Sequence, residues 1–95
     1  MAELSLIPVP SEGFCVRVLG DETIFLARTG DVIHSLDAVG SFIWQAMDGK
    51  RSLANIADLL CTEYEVPRGV AETDLQNFAD ELTEKQLVTL ETAPV

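Results

Sequence analysis

Basic residues are scarce in this sequence. Six Lys and Arg stand against sixteen Asp and Glu, a formal charge of -10. Binding nucleic acid requires neutralising phosphates with cations, and the only adjacent basic pair is Lys50-Arg51, so no nucleic-acid partner is expected. An acidic body suits a basic partner, or plain solubility. Histidine occurs once, at His34, and cysteine twice, at Cys15 and Cys61, with no CxxC. Zinc takes about four ligands at characteristic spacings, so neither a metal nor another cofactor is expected. The two cysteines read as small buried apolar residues in a reducing compartment. No GxSxG, P-loop, HExxH, GxGxxG or EF-hand spacing occurs. Nucleophilic catalysis needs a nucleophile, a base and an orienting group in contact, and the sequence offers no such set, so the chain is expected not to be an enzyme.

Long apolar runs are absent too. Nothing approaches the roughly 20 consecutive apolar residues of a membrane span. The N-terminus, Met1-Ala2-Glu3-Leu4-Ser5-Leu6-Ile7-Pro8, has an acid where a signal peptide is basic, and Ala2 where myristoylation needs glycine. A cytoplasmic protein with no membrane partner is expected.

What is present is a 47% apolar chain of 95 residues, too apolar for disorder and the size of one domain. Residues 1–13, with Pro8, Pro10 and Gly13, read as an extended arm that Leu4, Leu6, Ile7 and Val9 can anchor in part. Phe14 to Leu19 has the alternation of a strand, with Phe14, Val16 and Val18 on one face. Thr23 to Arg28 and Asp31 to Leu36 read as two more strands, separated by the turn signals Gly20-Asp21-Glu22 and Thr29-Gly30. The period then changes. Val39, Phe42, Ile43, Ala46 and Met47 follow a helix face, with Asp37 as N-cap and Asp48-Gly49 as the stop. Ser52 caps a second helix whose face is Leu53, Ile56, Ala57, Leu60 and Tyr64. Pro67 and Gly69 mark a break. A third helix is predicted from about Val70 to Gln86, with the stripe Leu75, Phe78, Ala79 and Leu82. Leu87 to Leu90 alternates like a short strand, and residues 91–95 read as a tail. Strands followed by helices predict an α+β domain, a three-stranded antiparallel sheet and then a three-helix bundle.

Single features read plainly. His34 is expected to be a half-buried strand residue, and Trp44, at the edge of the first helix's stripe, a core residue. The acids Asp58, Glu63, Glu65, Glu72, Asp74, Asp80, Glu81 and Glu84 fall mostly between stripe positions and read as a solvated face. The sheet edge is more suggestive. The third strand, Asp31 to Leu36, has no Lys or Pro to blunt it, and an open edge accepts a strand from another chain.

Ordered landmarks add to this. His34-Ser35-Leu36-Asp37, then Phe42-Ile43-Trp44 with Asp48-Gly49, then Ile56, Leu60, Tyr64 and Val66, and finally Asp74, Phe78, Leu82 and Leu87-Val88 resemble the coenzyme PQQ synthesis protein D family, the type case of the precursor peptide recognition element of RiPP biosynthesis. With the strands upstream, the resemblance covers residues 14–90. One departure is Gln86, where the family often has glycine before the leucine. The resemblance implies a winged-helix-like domain without catalytic activity. It implies that the leader of a precursor peptide adds as a strand beside the third strand, in the groove against the third helix. Mapped here, the peptide-binding residues would be Asp31, Val32, Ile33, His34, Ser35 and Leu36 on the strand, with Asp74, Leu75, Phe78, Glu81, Leu82 and Lys85 on the helix. The implied second partner is a modifying enzyme, a radical SAM protein in many pathways and a leader peptidase in lasso-peptide pathways. Two rivals stand beside this reading. One is a winged-helix DNA-binding regulator, which the acids of the third helix oppose. The other is a non-catalytic enzyme subunit that binds no peptide.

Overall fold

The computed structural model describes residues 3–92. Met1 and Ala2 of the expected arm and residues 93–95 of the expected tail lie outside the described residues. The strands are β1 (Ile7–Pro10), β2 (Cys15–Leu19), β3 (Glu22–Leu26), β4 (Val32–Leu36) and β5 (Val88–Glu91). The helices are α1 (Ala38–Ala46), α2 (Leu53–Tyr64) and α3 (Arg68–Glu84), lying between β4 and β5.

The predicted α+β class is the one observed. β2, β3 and β4 form an antiparallel meander with β3 in the middle. Leu19 pairs with Glu22 across a two-residue turn. Gly20 opens that turn with φ +65°, which glycine adopts without a Cβ penalty. The helices start where their caps are. Asp37 accepts the Gly40 N–H at 2.8 Å, which satisfies one of the free donors of the first turn of α1. Ser52 and Asn55 form a reciprocal capping box on α2, both bonds at 3.2 Å. Between α1 and α2, the Asp48 carboxylate accepts the Lys50 and Arg51 N–H groups at 2.9 and 3.1 Å. Those two backbone bonds, with the Arg51 charge beside them, hold its pKa below the ordinary aspartate value.

Phe25 and Thr23 of β3 are fully buried. Trp44 is half-buried and packs against the core rather than inside it, standing edge-on to Phe25 at 4.8 Å, and Thr23 Oγ1 donates to Ser41 Oγ of α1 at 2.8 Å. Below them Leu53, Ile56 and Ala57 of α2 meet Ala71, Leu75, Ala79 and Leu82 of α3 in one cluster.

Four features differ from the sequence reading. First, part of the expected arm is a strand. β1 pairs with β5, Ile7 opposite Glu91 and Pro10 opposite Val88, so the expected tail also begins inside a strand. The Leu6 and Leu4 carbonyls accept the Leu53 and Ala54 N–H groups at 2.9 Å, satisfying donors at the start of α2. Two prolines in four residues hide this strand, because proline cannot donate to a ladder and is confined to edges. Second, Cys15 is exposed. It lies on the edge strand β2, all of whose side chains are exposed. Val16 and Val18 share the face of Phe25 and Thr23, yet they too are exposed. Third, α3 begins at Arg68, so Gly69 is helical. Arg68 bridges Asp58 of α2 and Glu72 of its own helix, which fixes that first turn. Fourth, α3 ends at Glu84 with Lys85 as its C-cap, and Gln86 takes a left-handed φ of +62°. Leu87 N–H then bonds Leu82 O at 2.9 Å and Gln86 N–H bonds Thr83 O at 3.0 Å. This is the Schellman arrangement in which glycine is usual.

Candidate functional site

β4 is an edge of the meander, paired on one side with β3 only. Its pairing slips between His34 opposite Phe25 and Val32 opposite Leu26, which leaves Ile33 as the extra residue of a bulge. Val32 is 65% exposed and Ile33 37%. An edge of this kind presents unpaired backbone donors and acceptors.

A cavity of about 540 Å³ opens beside this edge. His34, Ser35 and Leu36 of β4 form one wall. Asp74, Phe78 and Glu81 of α3 form the other, and Asp37, Val39, Gly40 and Ile43 close the end at α1. α1 comes close to β4 at Gly40, where an added Cβ would lie 3.2 Å from Leu36 Cβ and press that neighbour back by a few tenths of an ångström. The His34 imidazole stacks on Phe25 with ring centres 6.4 Å apart. Its Nε2 lies 3.5 Å from Glu81 Oε1, so this pair spans the groove from β4 to α3. A second hollow of about 330 Å³, lined by Leu60, Tyr64 and Val66, shares Val39, Ile43 and Asp74 with the first. The groove is thus an edge of free backbone beside an apolar trough rimmed by carboxylates. Among the described residues, no Lys or Arg lines either space.

The residues expected from the sequence divide into three groups. His34, Ser35, Leu36, Asp74, Phe78 and Glu81 do come together around the cavity. Val32 and Ile33 are exposed further along β4. Asp31 precedes β4 in its turn, where its carbonyl accepts the Ala27 N–H at 2.8 Å and its carboxylate accepts Thr29 Oγ1 at 2.9 Å. Leu75 and Leu82 must be corrected. Both are 0% exposed and belong to the core cluster that α3 forms with α2, so neither lines the cavity. Lys85 caps the far end of α3 and does not line the cavity. Sequence reasoning missed the contribution of α1, namely Asp37, Val39, Gly40 and Ile43. Val39 carried the signal. It sat on the predicted apolar face, yet it is 41% exposed and faces the groove.

The model for the family described as coenzyme PQQ synthesis protein D matches residues 22–88. The PqqA binding protein of Xanthomonas campestris pv. campestris (strain B100) is 33% identical over 70 residues, which is 74% of this chain and 74% of that protein. Among solved structures, TbiB1 in complex with the TbiA(beta) leader peptide superposes with a TM-score of 0.75 at 34% identity. That superposition covers 84% of this chain and 93% of the other.

Proposed function

The chain belongs to the coenzyme PQQ synthesis protein D family, and from that premise we propose that it binds the leader segment of a ribosomally synthesised precursor peptide and presents it to a modifying enzyme. In this reading it acts by binding and carries out no chemistry of its own. Two relatives support it by what they bind: one is a PqqA binding protein, and the other was solved with a leader peptide. The observation that carries it is the coincidence of a free strand edge at β4 with the trough beside it.

The leader adds to β4 as an antiparallel or parallel strand. Its backbone bonds supply affinity with little preference for sequence, and its alternate side chains enter the trough and supply selectivity. Apolar side chains settle against Phe78, Val39 and Ile43. Asp74 and Glu81 on the rim favour Lys or Arg beside those anchors and act mainly on association rate. The enzyme served is a radical SAM protein or a leader peptidase. The DNA-reading alternative would place Glu72, Asp74, Asp80, Glu81 and Glu84 against phosphate, which is repulsive.

A backbone N-methyl scan of the leader encoded beside this chain tests the proposal without altering the protein. Each peptide N–H that bonds β4 is desolvated on binding. Blocking one is expected to cost about 1–3 kcal/mol, a rise in Kd of roughly 5- to 150-fold. The losses should alternate, every second position over a stretch matching the five residues of β4. Equal tolerance at all positions would refute strand addition.

A further inference from the structure

The β2–β3–β4 sheet has a second face, and that face is apolar. Direct cross-strand partners share a face. Phe25 stands opposite Val16 and His34, and Thr23 opposite Val18 and Leu36; this is the side on which α1 packs. Cys15, Leu26 and Val32 form one row on the other side, and Arg17, Ile24 and Ser35 form the next, with Leu19 opposite Glu22 beyond them. An antiparallel sheet with one solvated face ordinarily turns polar residues outward. Here five of these eight residues are apolar. Leu19 is 60% exposed and Val32 65%, and none of the five belongs to the core cluster or packs against it.

The charge pattern says what kind of surface fits there. Residues 14–36 hold two arginines against three acids, whereas residues 37–86 hold four basic residues against ten acids. The sheet is therefore the near-neutral part of a chain of formal charge -10. Arg17 stands on the edge strand β2 in the middle row of the apolar face, beside Ile24, and makes no ion pair among the described residues. A second copy of the chain would set another arginine-bearing face against Arg17 and bring together two bodies of like charge.

Position supplies the remaining argument, and it rests on the leader-binding reading above. A strand added at β4 sends every second side chain onto this outer face, next to Val32 and Ser35. The face then becomes continuous, part domain and part leader. We infer that the outer face of the sheet docks the modifying enzyme, through an apolar patch that carries a carboxylate for Arg17. An enzyme seated there touches both components, so it distinguishes a loaded domain from an empty one. By linkage, it also tightens the hold on the leader by the same factor.

The test uses Arg17→Glu and Leu19→Ser, both exposed on β2 and separated from β4 by β3. Affinity of the leader-loaded domain for the modifying enzyme encoded with it is measured by calorimetry, and leader affinity is measured separately without enzyme. Arg17→Glu is expected to weaken enzyme binding by about tenfold or more and Leu19→Ser by a smaller factor, with leader Kd held within about twofold. Arg17→Lys should recover most of the loss. Enzyme affinity unchanged in both variants would overturn the inference. So would a concentration-dependent dimer of the wild-type chain that Arg17→Glu dissolves, since that assigns the face to self-association. If the wild-type chain binds no leader, the leader reading falls, and the face is judged by enzyme binding to the unloaded domain, which the same two variants should weaken.

Discussion

β2 and β4 are both five-residue edge strands of one sheet, and each leaves one side of its backbone unpaired. β2 exposes every side chain, and among the described residues neither the groove cavity nor its neighbour is lined by it. β4 has the trough of α1 and α3 alongside, and its last residue, Leu36, is buried. The difference shows what turns a free edge into a binding site. Unpaired backbone alone invites any extended chain. A wall that accepts alternate side chains makes one chain preferable to another. Neither cavity takes a lining residue from β2, whereas α1 follows β4 directly and its first turn is held by the Asp37 cap.

The largest effect that can break this comparison lies between the two edges. Phe25 holds the middle strand against Trp44 and is fully buried. Phe25→Ala is expected to cost about 3–5 kcal/mol of stability and to weaken leader binding with it. Val18→Ala, on a residue 54% exposed, should stay within about 0.5 kcal/mol. Denaturant midpoints decide this, and a large loss at Val18 would mean that β2 is covered after all. A smaller effect sharpens the contrast. Phe78→Ala removes an apolar wall of the trough and should speed leader dissociation by about tenfold, roughly 1.4 kcal/mol. Val16→Ala on the other edge should leave it unchanged. Stopped-flow or surface-based kinetics on folded variants reads both.

The smallest effect falls outside both edges. Gln86 occupies a left-handed position at φ +62° that glycine takes without strain. Gln86→Gly should therefore raise stability by about 1 kcal/mol and leave leader affinity alone. A melting temperature that falls would mean that the Gln86 side chain makes a stabilising contact worth more than the backbone strain.

Elements governed by local chemistry were legible in the sequence. The caps Asp37 and Ser52, the turn at Gly20-Asp21 and the stripe of α3 follow from residues a few positions apart. Half the groove was reached through the family resemblance, which implied a site between the third strand and the third helix and so named His34 to Leu36 with Asp74, Phe78 and Glu81. What was not legible depends on distant partners. β1 becomes a strand only because β5 lies beside it, some 80 positions away in sequence. Leu75 and Leu82 belong to the same apolar stripe as Phe78, and only the packing of α2 against α3 separates the buried pair from the accessible ring. The exposure of Cys15 depends on strand pairing, which sets it opposite Leu26 on the face of the sheet away from α1.

Amide hydrogen exchange with and without the leader tests the central claim most directly. The slowing of exchange reports where backbone becomes hydrogen-bonded or shielded. The account predicts strong added protection across residues 31–36, weaker protection across 74–81, and none across 15–19. Protection that appears on β2 or α2 while β4 exchanges as before would contradict it.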